Sequence, residues 1–198
     1  MQLDLELAVL VVRRPSGQVA VYPPVETVQR AGICRELRVP ANVRANLAAE
    51  AVRIAREIAE RIGIVGIMAV EFFVSRGMLY VNELAPRPHN SGHWTIEGAV
   101  TSQFEQHLRA VLDLPLGGTD LTGDAVVTIN LLGDGSGSDP RSRLGAALTA
   151  GKAHVHFYGK EARAGRKIGH VTAIADSVKS ADSQARRVID ALTGNLPA

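Results

Sequence analysis

The sequence predicts an α+β fold in which an antiparallel sheet packs against helices. From Leu3 to Val11, Leu and Val alternate with Asp, Glu and Ala, which is the period of a half-buried strand. Between Asn42 and Ile62 the apolar residues change to helical spacing, and Gly63 follows as a C-terminal stop. Two apolar runs, 64–74 and 78–84, then flank a short polar link, which is the pattern of a hairpin.

The helix over 42–62 has the clearest pattern in the chain. Its predicted buried face consists of residues three and four positions apart, namely Leu47, Ala51, Ile54, Ala55, Ile58 and Ile62. Before this helix, the turn Pro15-Ser16-Gly17 predicts a second strand over residues 19–22. Residues 25–39 then indicate further short strands, so the helix follows an all-β segment.

The chain divides near residues 115–124, which have the composition of a loop. Before this loop, Ser102 and Glu105 form a capping-box pattern for a helix that runs to about residue 114. We therefore expect a first domain over residues 1–114 and a small, mainly-β domain over residues 122–198.

The second domain is predicted to contain strands over 125–132, 155–158 and 170–175, and helices over 141–150 and 181–193. Ser180 is the expected N-cap of the last helix. The Gly-rich segment over residues 133–140 is a flexible loop, because it lacks the Gly-Lys-Ser/Thr ending of a phosphate-binding loop.

Composition and charge exclude several classes of protein. The chain has 198 residues, of which 46% are hydrophobic and 21% charged, which is typical of a globular protein. A net charge of +2 does not indicate a nucleic-acid or membrane partner, and no apolar run reaches the ~18 residues of a membrane span. The acidic residues near the N-terminus do not fit a signal peptide. Cys34 is the single cysteine, so a reducing cytoplasm is the expected location.

Two acidic residues, Glu71 and Glu83, each interrupt an apolar run of the predicted hairpin. A three-residue loop at 75–77 or 76–78 would place both on one face of the sheet, and we favour this arrangement. A two-residue loop at Arg76-Gly77 would place them on opposite faces unless a bulge intervened. On a shared face the two carboxylates repel each other unless a cation lies between them, and Mg²⁺ suits one or two carboxylates with phosphate oxygens. Solvent-facing strand residues are the simpler alternative.

The loop that follows concentrates donor groups, which are Arg87, His89, Asn90, Ser91 and His93. Two histidines could ligate zinc, but no cysteine or evident third ligand accompanies them. An anion site is the second interpretation, since a guanidinium, small polar side chains and backbone N–H groups bind anions. A polar loop that caps the next helix is the third, and the loop alone does not decide among them.

A second basic loop carries Lys160, Arg163, Arg166 and Lys167 within eight residues, with glycines at 159, 165 and 169. A solvated basic turn is the usual explanation of such a run. The glycines also allow the backbone to fold closely around a ligand, and a phosphate monoester would match the charge. Together, the carboxylate pair and the two loops point to phosphoryl chemistry.

Two long segments carry a resemblance to a known family. VNELAPRPHNSGHWTIEGAVTSQFEQHLRAVLDLPLG and YGKEARAGRKIGHVT resemble signature segments of 5-(carboxyamino)imidazole ribonucleotide synthase, an ATP-grasp ligase of purine biosynthesis. The resemblance extends from about Glu6 to Thr172. It implies a partial ATP-grasp domain followed by the small C-terminal synthase domain. It also implies ATP-dependent activation of bicarbonate as carboxyphosphate, which carboxylates 5-aminoimidazole ribonucleotide.

The resemblance also implies roles for individual residues. Glu71 and Glu83 match the magnesium ligands, Asn82 and Glu83 an ATP-contacting pair, and Glu6 a nucleotide-contacting glutamate. Gln29 stands where the family usually has a histidine near the nucleotide. The remaining matches are Arg87 beside bicarbonate and the transferred phosphate, the loop residues His89, Asn90, Ser91 and His93, and the ribonucleotide-phosphate residues Lys160, Arg166 and Lys167.

The resemblance covers only the C-terminal portion of such enzymes, so we expect the isolated chain to be inactive. A non-catalytic fragment, or an interaction subunit that needs a separate N-terminal half, is the alternative. The sequence also leaves open whether the chain forms a homodimer. Another carboxylate–amine ligase of the same superfamily is disfavoured by the specificity of HNSGHW and GKEARAGRKIGH.

Overall fold

A computed structural model describes residues 3–136 and 138–195 of the chain. Its centre is one nine-stranded sheet in which every neighbouring pair of strands is antiparallel. The strands are β1 (Leu5–Arg13), β2 (Val19–Val21), β3 (Val25–Arg30), β4 (Ile33–Val39), β5 (Gly66–Ser75), β6 (Met78–Ala85), β7 (Ala125–Leu132), β8 (His154–Phe157) and β9 (Lys167–Ala175). Their spatial order is β6-β5-β1-β3-β4-β7-β9-β8, with β2 paired to the end of β1.

In the described part of the chain, five α-helices accompany this sheet, so the predicted α+β class is confirmed. They are α1 (Ala45–Ile62), α2 (Thr95–Gly98), α3 (Gln103–Val111), α4 (Leu144–Ala150) and α5 (Val178–Thr193). The β4–β7 pairing carries the sheet across the loop at residues 115–124, so the boundary between residues 1–114 and 122–198 stays a prediction. Of the predicted Gly-rich loop, Gly137 lies outside the described residues. No helix within the described ranges has the length and apolar character needed to cross a membrane.

Strand β1 lies in the interior of the sheet, and the prediction of a half-buried strand was wrong. Leu7, Val9 and Val11 pack under α1, whereas Ala8, Leu10 and Val12 pack against Trp94 and Ala110 on the opposite face. Because both faces are covered, the whole run from Leu7 to Val12 is at most 1% exposed. The alternation of Leu and Val with Ala8 therefore reflects a difference in side-chain size between two covered faces, and neither face of this run is exposed to solvent.

Helix α1 covers one face of β1 and β5 through Leu47, Ala51, Ala55 and Ala59. Ile62 was predicted on this face but is 56% exposed, because it lies at the end of the last turn. Gly63 ends the helix as expected, with φ 66° and its N–H bonded to the carbonyls of Ala59 and Glu60.

Helix α3 begins at the predicted cap, since Ser102 Oγ accepts from the backbone N–H of Glu105. It ends at Val111, about one turn before the predicted residue 114. At α5, Ser177 is the N-cap and accepts from the N–H of Ser180, so the assignment of Ser180 as the cap was wrong by about one turn. Both serines precede an apolar helical pattern, and the sequence did not distinguish them.

The β5–β6 hairpin has a two-residue turn, Arg76-Gly77, and not the three-residue loop that we favoured. Both turn residues have positive φ, 52° and 72°, as a type I′ turn requires. A β-bulge between Glu71 and Phe72 then shifts the register by one residue, so that Glu71 pairs with Glu83 while Phe72 pairs with Val81. The shared face is therefore correct, but a bulge produces it.

A buried ion network joins β4 to α5. Glu36 is 2% exposed, and its carboxylate contacts Arg38 at 2.6 Å and Arg186 at 2.8 Å. Burial opposes the charge of Glu36, but the two guanidinium groups outweigh it and lower the pKa of this carboxyl. The network therefore fixes α5 against the middle of the sheet.

Candidate functional site

The centre of the site is the cross-strand pair Glu71 and Glu83 at the bulge of the hairpin. The side chain of Glu71 is 24% exposed, and that of Glu83 is exposed. Asn82 is the additional residue of the bulge, and its amide Nδ2 lies 3.5 Å from Glu71 Oε2. The bulge thus places two carboxylates and one amide at the same position on the edge of the sheet.

Uncompensated negative charge characterises this position. Burial raises the pKa of Glu71, and the charges of Glu83 and Glu6 raise it further, while Asn82 and Lys167 oppose the shift. No Lys or Arg side chain in the described part of the chain forms an ion pair with Glu71 or Glu83. A bound cation would remove this repulsion.

Oxygen donors of this kind fit Mg²⁺, which takes one or two carboxylates and fills its remaining positions with phosphate oxygens and water. The described residues contain no group of three or more His, Cys, Asp or Glu side chains that could hold a metal ion.

Glu6 and Gln29 lie together on the neighbouring strands β1 and β3. Burial raises the pKa of Glu6, while a hydrogen bond from Gln29 partly offsets the shift. Both residues line an open groove of about 250 Å³. The charge of Glu6 raises the pKa of Glu71, so Glu6 lies near the carboxylate pair, and Gln29 is joined to it through its hydrogen bond with Glu6.

His89 connects the polar loop to the carboxylates, because its Nε2 lies 3.6 Å from Glu71 Oε1. The backbone N–H of Ser91 donates to Nδ1 of the same ring, so the ring proton is on Nε2. Burial and the charge of Arg87 lower the pKa of His89, which keeps the ring neutral near pH 7. His89 therefore presents a donor to Glu71.

Arg87 and Asn90 lie in this loop without a contact to the carboxylates among the described residues. The Arg87 guanidinium is exposed and donates to the carbonyl of Pro88, 3.2 Å away. The Asn90 carbonyl accepts from the N–H of His93. Both residues border the site, and their predicted contacts with bicarbonate and substrate stay predictions.

Gln103, at the start of α3, holds the polar loop in place through hydrogen bonds. It is 0% exposed and bonds to both backbone groups of His89 and to Nδ1 of His93. A Cβ at Gly92 would collide with this side chain, so the loop needs glycine there. The sequence interpretation missed Gln103, although polar residues at 103 and 106 on the buried face of a helix were a signal.

The side chains of the basic loop lie in two different places. Lys167, at the start of β9, acts electrostatically on Glu71, His89 and His93. The Lys160 ammonium lies 5.4 Å from the centroid of the Tyr158 ring and lines a separate cavity of about 350 Å³. Arg166 is exposed, and the contacts found for it are made by its backbone. Only Lys167 is thus placed beside the carboxylates.

A cluster of rings links the polar loop to β8 and β9, and it was not predicted. The centroid of the His93 ring lies 5.1 Å from that of His170, which stacks on His156 at 4.6 Å. Tyr158 Oη bonds to His170 Nδ1 at 2.7 Å, and His156 Nε2 pairs with Glu97. Burial lowers the pKa of His170 to about 3 and of His93 to about 4, so both rings are neutral at pH 7.

Comparison with known proteins gives two family matches. The ATP-grasp domain model matches residues 1–104, and the model of the phosphoribosylaminoimidazole carboxylase C-terminal domain matches residues 126–184. The N5-carboxyaminoimidazole ribonucleotide synthase of Mycobacterium leprae is 48% identical over 183 residues, covering 86% of this chain and 40% of that protein. The synthase of Corynebacterium ammoniagenes is 46% identical over 199 residues, covering 94% and 47%.

Solved structures of the same synthases also match this chain. The N5-carboxyaminoimidazole ribonucleotide synthetase of Thermus thermophilus matches with a TM-score of 0.86 at 43% identity, covering 100% of this chain and 53% of that one. The Aspergillus clavatus synthase in complex with ADP and 5-aminoimidazole ribonucleotide matches with a TM-score of 0.86 at 34% identity, covering 97% and 52%. The chain thus spans about half the length of the proteins that it matches.

Proposed function

Because this chain belongs to the ATP-grasp family, we propose that it forms the C-terminal part of a 5-(carboxyamino)imidazole ribonucleotide synthase. The reaction would be ATP-dependent carboxylation of 5-aminoimidazole ribonucleotide with bicarbonate, through carboxyphosphate, in cytoplasmic purine biosynthesis. Identity of 46–48% to named synthases supports the substrate assignment, since both family models match in the expected order.

The observation that carries the proposal is the Glu71–Glu83 pair. Two adjacent carboxylates repel each other, and burial together with the charge of Glu83 raises the pKa of Glu71. Such a pair suits a site that a divalent cation and a polyphosphate occupy together. Mg²⁺, when bound between these carboxylates and ATP phosphates, would neutralise charge that develops during phosphoryl transfer.

The other residues would bind and orient the substrates. Glu6, Gln29 and Asn82 would contact the nucleotide, since they border the carboxylate pair. Arg87, His89, Asn90, Ser91 and His93 would provide donors to bicarbonate and the transferred phosphate. Lys167, with Lys160 and Arg166 from the same loop, would neutralise the phosphate of the ribonucleotide.

We propose further that the 198 residues act together with the part of the synthases that they do not match. The match covers 40–47% of the curated relatives, and the Glu83 side chain of the carboxylate pair is exposed on the edge strand β6. A separate N-terminal half would be the partner, and a homodimer is compatible with this arrangement. The non-catalytic alternative is an interaction subunit that binds such a half without turnover.

A chimera tests the function directly. The N-terminal portion of the C. ammoniagenes synthase, ending where the match begins, is fused to this chain, and ADP formation is measured. We expect ADP release that depends on both bicarbonate and 5-aminoimidazole ribonucleotide, whereas the isolated chain shows little or none.

Variants of the chimera distinguish the catalytic from the non-catalytic proposal. We expect Glu83→Gln to lower kcat by about 100-fold or more, because a charge that stabilises the transition state is lost. Glu105→Gln, a change on the exposed face of α3, is the matched control. A folded chimera that releases no ADP in response to the ribonucleotide would support the interaction subunit instead.

A further inference from the structure

The orientation of the Gln103 side chain follows from its backbone partners. Its Oε1 lies 2.9 Å from the backbone N of His89, and an N–H can only donate. Its Nε2 lies 2.8 Å from the carbonyl oxygen of His89, which can only accept. The amide is therefore held in one orientation at both ends, and the NH₂ group is on the side of the His89 carbonyl.

This orientation determines the proton position on His93. The same Gln103 Nε2 lies 2.9 Å from Nδ1 of His93. Since Nε2 of the amide donates, Nδ1 must accept and cannot carry a proton. The remaining ring proton is then on Nε2 of His93, across the ring from Gln103.

We propose that Gln103 is a positioning residue that holds His93 as a neutral Nε2–H hydrogen-bond donor. His89 has the same tautomer through Ser91, so the loop between Arg87 and Trp94 presents two imidazole N–H donors, of which that of His89 faces Glu71. Zinc binding through these rings is disfavoured, because in each ring Nδ1 is occupied and Nε2 is protonated. The loop is therefore built to donate to an anion.

The surroundings of His93 also favour its neutral state. The groups that face it are His89 of its own loop, Phe104 of α3, Tyr158 and Lys160 of the basic loop, and His156, Lys167 and His170 of the last two strands. Burial disfavours an imidazolium most strongly, and the charges of Lys160 and Lys167 oppose it further. A donor is thus available without a positive charge.

The consequence for substrate binding rests on the proposed function. A neutral N–H donor can bind a bicarbonate, carboxyphosphate or phosphate oxygen, and it cannot remove a proton from it. His93 would then orient an oxygen, and any general base in the reaction would be a different group.

Imidazole nitrogen shifts test the tautomer without any requirement for activity. Long-range ¹H–¹⁵N spectra of the histidine-labelled chain at pH 7 report which ring nitrogen carries the proton, and His93→Phe assigns the resonances by their disappearance. We expect a protonated Nε2 and an unprotonated Nδ1 for His93. A proton on Nδ1 in the native chain would overturn the proposal by itself.

Gln103→Glu makes the test specific to the hydrogen bond. An ionised carboxylate can only accept, whereas a protonated carboxyl can donate, and burial favours the protonated form. The spectra of this variant are therefore recorded as pH is raised, and once the carboxyl is ionised His93 should move its proton to Nδ1 and the major tautomer should reverse. Gln106→Glu is the matched control, because Gln106 is also 0% exposed on α3 but bonds to the backbone of Gly117. A folded Gln103→Glu chain with an unchanged His93 tautomer, or reversal in the control, would contradict the assignment. Neither result depends on carboxylase activity, so the proposed function can fail separately.

Discussion

Glu36 and Glu71 are both glutamates on interior strands of one sheet, but their environments are opposite. Glu36 lies between Arg38 and Arg186, which lower its pKa despite burial. Glu71 is partly buried opposite Glu83 and near Glu6, and burial and these two charges raise its pKa. The first carboxylate has guanidinium partners within the chain, whereas the second has no Lys or Arg ion pair among the described residues. The difference separates a group that stabilises the fold from one that, in the proposed function, binds a metal ion.

The largest effect is expected at Glu36. Glu36→Gln leaves the guanidinium groups of Arg30, Arg38 and Arg186 facing a neutral amide. Because these arginines are partly exposed, the free energy of unfolding should fall by about 2 kcal/mol, which is less than for a fully buried ion pair. Urea denaturation followed by circular dichroism measures this loss. Glu105→Gln is the control, since its pair with Arg109 is exposed and contributes little. A loss below about 1 kcal/mol at Glu36 would remove the contrast between the two glutamates.

A smaller effect of opposite sign is expected at Glu71. Glu71→Gln removes repulsion from Glu83 and Glu6, so the metal-free chain should gain about 1 kcal/mol, or roughly 2–4 °C in Tm. Thermal melting in the presence of a chelator checks the gain. Glu57→Gln on the exposed surface of α1 is the comparison, because it breaks ion pairs with Arg53 and Arg61. A lower Tm for Glu71→Gln would show that the contacts of this carboxylate with His89 and Asn82 outweigh the repulsion.

The two variants should differ from the native chain in stability over different pH ranges. The change falls below the ordinary glutamate pKa of 4.5 for Glu36 and above it for Glu71. Glu36 has a lowered pKa, so its stabilisation is present above 4.5 and is lost as pH falls through the folded-state pKa. Glu71 has a raised pKa, so the gain from Glu71→Gln is complete above the folded-state pKa and disappears as pH falls to 4.5. Melting curves of the native and variant chains across this range measure both differences, and coincident windows would contradict the assigned shifts.

Periodicity and turn residues predicted much of the fold from sequence. Helix α1, its stop at Gly63 and the hairpin around Glu71 and Glu83 follow from local patterns that the chain retains when folded. Their local propensities agree with the tertiary structure, and this agreement makes such elements predictable. The fold class and the position of the carboxylate pair needed no more information than that.

Burial and cross-chain contacts were not predictable in the same way. Sequence did not show that β1 is covered on both faces, because its second cover comes from Trp94 and Ala110, about a hundred residues away. Gln103 was missed for the same reason, since its role depends on a loop that folds back over α3. The ring cluster of His93 and His170 likewise forms only when β9 takes its place in the sheet.

The bulge at Asn82 makes the number of residues in the hairpin as important as their identity. With a two-residue turn, a regular ladder would pair Glu71 with Asn82 and turn the Glu83 side chain to the far face of the sheet, so the one additional residue at the bulge is what brings the two carboxylates together. Substitutions at exposed positions such as Tyr80 or Val81 leave that count unchanged. This hairpin should therefore tolerate many changes of side chain, whereas loss or gain of one residue on β6 would remove or shift the bulge that holds Asn82 beside the two carboxylates.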